Sequence, residues 1–308
     1  MEKQEIIKQI EDLKAKKNAV ILAHYYTDTD IQDLADYIGD SLGLARQAAN
    51  TTADIIVFCG VHFMAETAAI TSPEKKVLIP AQRCGCSLAE SITGEDLRKW
   101  KAANPDGLIV SYVNTTAEVK AETDYCCTSS NALQVIEHLG KDQKIFFTPD
   151  KNLGAYLNKK TGFNMELWDG DCCVHERISS DMVLDMHQQY PEADILIHPE
   201  SNCSGDDMIL AHPKTFFYST AGIIKHAKES DKKQFIIATE KGTLHQLQKE
   251  NPEKEFILVH PKVICGSMKK VTLQSLYEAL LHEQYQVVVD PEITKKAQLS
   301  INRMLDIG

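Results

Sequence analysis

Nine cysteines stand in the chain: Cys59, Cys84, Cys86, Cys126, Cys127, Cys172, Cys173, Cys203 and Cys265. Their number is odd, two pairs are adjacent and no CxxC is present, so neither a disulfide framework nor a zinc ribbon is expected. Cys86 (RCGCSLAE), Cys172 (GDCCVHER) and Cys265 (VICGSMKK) differ from the rest. Each lies in a Gly-flanked or polar segment, and they are 86 and 93 residues apart. Thiolates from three loops that meet at one point make a soft-metal site, and a set of three leaves a fourth position open for a reacting ligand. Cys84 and Cys173 lie within two residues of these and compete with them on spacing alone. Spacing also does not choose between zinc and an iron–sulfur cluster. Cys59, Cys126, Cys127 and Cys203 read as small buried apolar residues.

Other polar residues recur with the same period. The segments ILAHYY, IVSYVN and ILIHPE end strands at His24, Tyr112 and His198, which are 88 and 86 residues apart. A serine opening a helix follows each one, at offsets of 17, 17 and 21: Ser41 in GDSLGLA, Ser129 in CTSSNAL and Ser219 in YSTAGII. A second strand ending in a turn comes next (FCGVHFMAE, FFTPDKNLG, IIATEKGTL), and a cysteine closes the unit. Four features in the same order, three times, read as three tandem α/β units. Each presents His or Tyr, Ser and Cys from the carboxyl ends of parallel strands, where ligands sit in open α/β sheets. Three such ends can face one central cavity.

The elements that must carry these residues are legible as short apolar runs alternating with helical patterns. Strands are expected at Ala19–Ala23, Ile55–Cys59, Val77–Pro80, Leu108–Val113, Ile145–Thr148, Ile195–His198, Phe216–Ser219, Phe235–Ala238 and Phe256–His260. Most are continuously apolar rather than alternating, as in parallel strands covered on both faces. Helices are expected at Ser41–Asn50, Ser129–Leu139, Ser179–Gln189, Lys241–Glu250, Leu273–Glu283 and Pro291–Leu305, the last with proline in its first turn.

The 308 residues carry a formal charge of −11, which argues against a nucleic-acid partner. An anionic ligand would need local donors to overcome that field. No apolar run approaches the roughly 18 residues of a membrane span. The N-terminus, MEKQEIIKQIEDLKAKK, is charged throughout, without the apolar stretch of a secretory signal. The expectation is a cytoplasmic protein with reduced thiols.

The motifs ILAHYY, IQDLADYIGDSL, GVHFMAE, CSLAE from Cys86, SYVNTTAEVKA, CTSSNA, PDKNLG, CxVH at Cys172–His175, HPE at His198–Glu200 and CGSMKK at Cys265 together resemble the quinolinate synthase A family, in the right order along nearly the whole chain. The resemblance implies three α/β/α sandwich domains with parallel sheets, arranged with pseudo-threefold symmetry around a central active site. On this chain the units would span residues 1–105, 106–192 and 193–290, with a C-terminal helix at 291–308 packing back on the body. It implies one [4Fe–4S] cluster with an open iron, and motif by motif it assigns the ligands to Cys86, Cys172 and Cys265. The family reaction condenses iminoaspartate with dihydroxyacetone phosphate to give quinolinate, phosphate and two waters on the route to NAD. A functional link to an aspartate oxidase or dehydrogenase that supplies iminoaspartate is implied. Two departures are visible. Some members carry CxxCxxC at the third ligand, whereas Cys265-Gly-Ser-Met offers one thiol, so no thiol–disulfide switch is expected. Tyr218-Ser219-Thr220-Ala221-Gly222 replaces a glycine-led segment.

On that resemblance the polar strand ends acquire roles. Ser41, Ser129, Ser219 and Thr220 at helix starts would hold substrate anions, against the plainer reading as N-caps. Glu200 is the best proton-transfer candidate, with Tyr26, Tyr112 and His198 as further catalytic candidates. His24 and His198 would donate to carboxylate or phosphate, Asn114 offers both donor and acceptor, and His175 would sit beside the ligands. Two other readings compete. A non-catalytic iron–sulfur carrier or sensor would have four protein ligands and no use for the Ser, His, Tyr and Glu set. A zinc-dependent hydrolase or lyase would hold zinc on three cysteines.

Overall fold

The computed structural model describes residues 2–307; the outermost positions of the expected first and last segments, 1 and 308, lie outside them. Twelve strands form three four-stranded sheets. The first contains β1 (Ala19–His24), β2 (Tyr37–Gly39), β3 (Ile55–Cys59) and β4 (Lys76–Leu78) in the order β2-β1-β3-β4. The second contains β5 (Leu108–Tyr112), β6 (Tyr125–Cys127), β7 (Ile145–Thr148) and β8 (Glu166–Leu167) in the order β6-β5-β7-β8. The third contains β9 (Asp194–Ile197), β10 (Thr215–Phe217), β11 (Gln234–Ala238) and β12 (Glu255–Leu258) in the order β10-β9-β11-β12. Every strand pair within them is parallel. The same order three times is what the repeated sequence features require.

The central strands explain the continuous apolar runs. β3 is buried at all five positions and β7 and β9 at all four, because helices cover both faces. All nine strands read from the sequence are present, with bounds shifted by a residue or two. Three further strands, β2, β6 and β8, lie at sheet edges and have only two or three residues each. Runs that short carry no period to detect.

The chain after the third sheet returns to the first two. Helix Leu273–His282 packs against the N-terminal helix Lys3–Lys16. The segment beyond it covers the open edge of β4: Ile79 donates to Tyr285 O at 2.9 Å and Val287 to Val77 O at 2.9 Å. Helix Pro291–Ile307 then lies across the first two units. Its Ala297, Ile301 and Met304 are fully buried in the core they share, and Ser300 Oγ donates to Lys120 O at 2.9 Å.

Candidate active site

Backbone hydrogen bonds fix the three cysteine loops in one register. Three residues past the end of the third strand of each sheet, an N–H crosses to the loop that holds the cysteine. His62 donates to Cys84 O (2.8 Å), Lys151 to Gly170 O (2.8 Å) and Lys241 to Val263 O (2.9 Å). The acceptors stand two residues before Cys86, Cys172 and Cys265. Each of these cysteines then accepts at its own carbonyl from the N–H four residues on: Glu90 (3.0 Å), Glu176 (2.8 Å) and Lys269 (3.3 Å). Seven residues after each cysteine comes a capped helix, opened by Thr93, Ser179 or Thr272, whose side chain accepts from the backbone three residues ahead. Cys86, Cys172 and Cys265 are therefore equivalent. Cys84 aligns instead with Gly170 and Val263, and Cys173 with Ser87 and Gly266.

The turns also treat the sulfur atoms alike. Backbone N–H groups two and three residues on face each thiol: Leu88 and Ala89 at Cys86, Val174 and His175 at Cys172, Ser267 and Met268 at Cys265. Burial is the largest influence and pushes all three thiols up, Cys86 to about 12, while these N–H donors favour the thiolate. Such thiols become ligands when a metal's charge replaces the proton. All three line one cavity of about 500 Å³ together with Tyr26, Ser41, Ser129 and Thr220. The donor set is soft, threefold and open on the cavity side, which fits a metal centre with a free coordination position. Cys59, Cys126, Cys127 and Cys203 are fully buried in the hydrophobic cores, as read from the sequence.

The strand-end residues converge on the same cavity. The N–H of Tyr26 donates to His24 Nδ1 (3.2 Å), and two residues after His198 the N–H of Glu200 donates to His198 Nδ1 (3.4 Å). The His24 ring thus accepts at Nδ1 and carries its proton on Nε2, whereas His198 Nδ1 also lies 3.4 Å from Glu200 Oε2. Burial lowers His24 to about 4 and His198 to about 3, so both are neutral donors near neutral pH. Glu200 is also buried, which alone would raise its carboxyl. A hydrogen bond from His175, the nearby histidine rings and the Tyr112 hydroxyl outweigh that and hold it at about 2. Asn114 Nδ2 donates to Glu200 Oε1 at 3.1 Å. The other Asn114 atom, Oδ1, is buried with no hydrogen-bond partner among the described residues. An orphan acceptor at the cavity wall suits a ligand that brings a donor.

At the helix starts Asp40 both caps and lines the cavity, whereas Ser219 only caps. Asp40 Oδ1 accepts from Gly43 N–H (3.0 Å) and Ser219 Oγ from Gly222 N–H (3.2 Å), so these side chains close the helix ends. In the second unit Thr128 Oγ1 accepts from Ser130 N–H at 3.2 Å in a turn, and the helix expected to open at Ser129 begins only at Ala132. The next residue in each unit, Ser41, Ser129 or Thr220, lines the cavity; Ser219 does not. The sequence repeat aligned Ser219 with Ser41 and Ser129, one position short of the structural equivalent, Thr220.

Two polar residues tie the proton-bearing groups together. His175 Nδ1 lies 2.9 Å from Glu200 Oε2 and 3.3 Å from Cys172 Sγ, while its Nε2 meets Thr239 Oγ1 at 3.0 Å. Thr239 Oγ1 is 2.9 Å from the Tyr26 hydroxyl, which also meets Thr220 Oγ1 at 2.8 Å. Thr239 was not singled out in the sequence, although it follows the third strand of its unit in IIATEKG. That its neighbour Glu240 is fully buried was equally invisible. Among the described residues no helix is long and apolar enough to cross a membrane.

A family model described as "Quinolinate synthetase A protein" matches residues 8–306. A protein named quinolinate synthase from Pyrobaculum aerophilum is 48% identical and aligned over 100% of both chains. Another of that name from Thermus thermophilus is 47% identical, covering 96% of this chain and 95% of its own. A third, from Desulforudis audaxviator, is 46% identical with 98% of each chain covered.

Proposed function

The chain belongs to the quinolinate synthetase A protein family, and from that membership we propose that it condenses iminoaspartate with dihydroxyacetone phosphate, releasing phosphate and two waters and forming quinolinate for NAD biosynthesis. The observation that carries this reading is the convergence of three equivalent cysteine turns and the hydroxyls of Ser41, Ser129 and Thr220 on one cavity that also contains an ionised, buried Glu200. A carrier or sensor would have no use for those groups. Cys86, Cys172 and Cys265 would hold a [4Fe–4S] cluster. When bound, it supplies a Lewis-acid iron at the corner without a cysteine.

The protein's own groups divide the remaining work. Both substrates are anions. Ser41, Ser129 and Thr220 offer hydroxyls, those of Ser41 and Thr220 at helix starts, where free N–H groups and the helix dipole favour negative charge. His24 adds an Nε2–H donor and His198 a second ring, both neutral near pH 7, and so they fix orientation without titrating. Glu200 takes a proton from the condensing carbon and returns it during dehydration. Its position is set by His175, Tyr112 and Asn114. Tyr26, held by Thr220 and Thr239, assists from the far end of the same hydrogen-bonded chain. The three units would meet with pseudo-threefold symmetry, with boundaries near residues 105 and 192. The site of action would be the cytoplasm, and an aspartate oxidase or dehydrogenase would supply iminoaspartate. Stoichiometry tests the reading: anaerobically prepared protein given the two substrates should release one inorganic phosphate per quinolinate. Phosphate release without quinolinate would contradict it.

A further inference from the structure

The backbone N–H of two of the three equivalent cysteines is served by a carboxylate. Glu90 Oε1 accepts from Cys86 N–H at 3.2 Å, and Glu240 Oε1 accepts from Cys265 N–H at 3.1 Å. In the middle unit the fully buried Asp150 instead caps its own helix, Oδ1 accepting from Leu153 N–H at 2.8 Å, and its Oδ2 has no hydrogen-bond partner among the described residues. Asp150 and Glu240 occupy the same place, two residues beyond the ends of β7 and β11. The corresponding residue of the first unit, two beyond β3, is Val61, which has nothing to offer. There the carboxylate comes instead from Glu90, four residues after the cysteine and reaching back. The same contact is thus reached by two different routes within one chain.

Glycines keep the space. A Cβ on Gly85 would meet Glu90 Oε1 at 2.4 Å, and one on Gly242 would meet Glu240 Oε2 at 2.8 Å and Tyr25 O at 2.7 Å. Gly242 also donates its own N–H to Glu240 Oε2 at 2.5 Å. A carboxylate acceptor makes a shorter, stronger bond than a carbonyl. It fixes the turn whose next N–H groups face the sulfur.

We propose that Glu90 and Glu240 are positioning residues for the metal centre, each clamping the backbone of one ligand cysteine so that its thiolate and the two N–H groups facing it are held ready for the cluster. The proposal rests on the cluster reading above. It also places two acidic side chains against the ligand backbone, where negative charge disfavours added electrons on a bound centre.

The test uses anaerobically purified full-length protein and reads iron content, the rate of iron loss to a chelator, and the midpoint potential of the bound centre. Glu90→Ala changes an exposed side chain, so folding is not at stake. It should lose iron roughly tenfold faster than the parent, the effect of one charge-assisted hydrogen bond. Glu240→Gln keeps an oxygen acceptor and removes the charge. It should retain iron nearly as the parent does, with the potential shifted upward, a change that a purely structural role would not produce. Glu90→Ala with parental iron retention, or Glu240→Gln with an unchanged potential, would overturn the proposal. A parent protein that binds no iron at all would instead overturn the cluster reading on which it rests.

Discussion

His175 Nδ1 lies 2.9 Å from Glu200 Oε2, and both side chains are almost wholly buried. The same nitrogen is 3.3 Å from Cys172 Sγ. One imidazole therefore links a cysteine turn of the second unit to the carboxylate that ends the first strand segment of the third. The cysteine side of the cavity and its carboxylate side share a hydrogen-bond partner, so a change at either should be felt at the other.

Replacing Glu200 by Gln keeps the shape and removes the ionisable group. General acid–base catalysis is worth about 10²–10⁴ in rate, and kcat should fall by about that factor while iron content and substrate binding survive. Steady-state kinetics with parallel iron analysis checks this. Near-parental kcat would move the proton-transfer role to Tyr26 or a histidine.

Alanine at Ser41 or Ser129, or valine at Thr220, removes a hydroxyl from the cavity wall. A charged substrate group left short of one hydrogen bond costs about 1–3 kcal/mol, so KM for the phosphate-bearing substrate should rise roughly tenfold or more. Alanine at Ser219 should behave differently, because its hydroxyl caps the helix Thr220–Glu229. There the expected loss is about 1 kcal/mol of stability with KM little changed. Equal KM effects at Ser219 and Thr220 would contradict this division.

His24 gives a pH signature. Burial lowers it from 6.5 to about 4, so the native state holds the neutral ring where the unfolded chain is already protonated. Its contribution is fully present above pH 6.5 and is lost as the pH falls toward 4. The interval corresponds to about 3 kcal/mol. Denaturation midpoints of the parent should fall across that window more steeply than those of His24→Asn; parallel curves would show that His24 is not the group responsible.

Ile301 lies fully buried on the C-terminal helix, in the core shared by the first two units. Ile301→Ala should destabilise the protein by about 2–5 kcal/mol, the usual cost of emptying a core site of this size. Chemical denaturation measures it. A loss under about 1 kcal/mol would mean that the helix is dispensable to the fold.

The sequence carried the three-unit plan because buried parallel strands leave continuous apolar runs, and because His24, Tyr112 and His198 mark the same strand end. It did not carry β2, β6 and β8. β2, for example, pairs with β1 through only Tyr37, Ile38 and Gly39, too few residues for a pattern. The repeat itself contained the missing information, since Phe216 and Phe217 of β10 were recognised and β2 and β6 hold the same place. The choice of Cys86 over Cys84 followed from resemblance alone. In the structure, hydrogen bonds set Cys86 rather than Cys84 in register with Cys172 and Cys265, because Cys84 O accepts the N–H of His62 just as Gly170 O accepts that of Lys151. Thr239 stayed hidden because a threonine after an apolar strand is ordinary, and only the fold brings it to Tyr26 and His175.

The most direct test is quinolinate itself, measured chromatographically after anaerobic incubation of iminoaspartate and dihydroxyacetone phosphate with three proteins: the parent, Cys172→Ser and Cys173→Ser. Product from the parent and from Cys173→Ser, with none from Cys172→Ser, is the result expected of a catalytic centre built on Cys86, Cys172 and Cys265. No quinolinate from an iron-loaded parent, or parental amounts from Cys172→Ser, would contradict it.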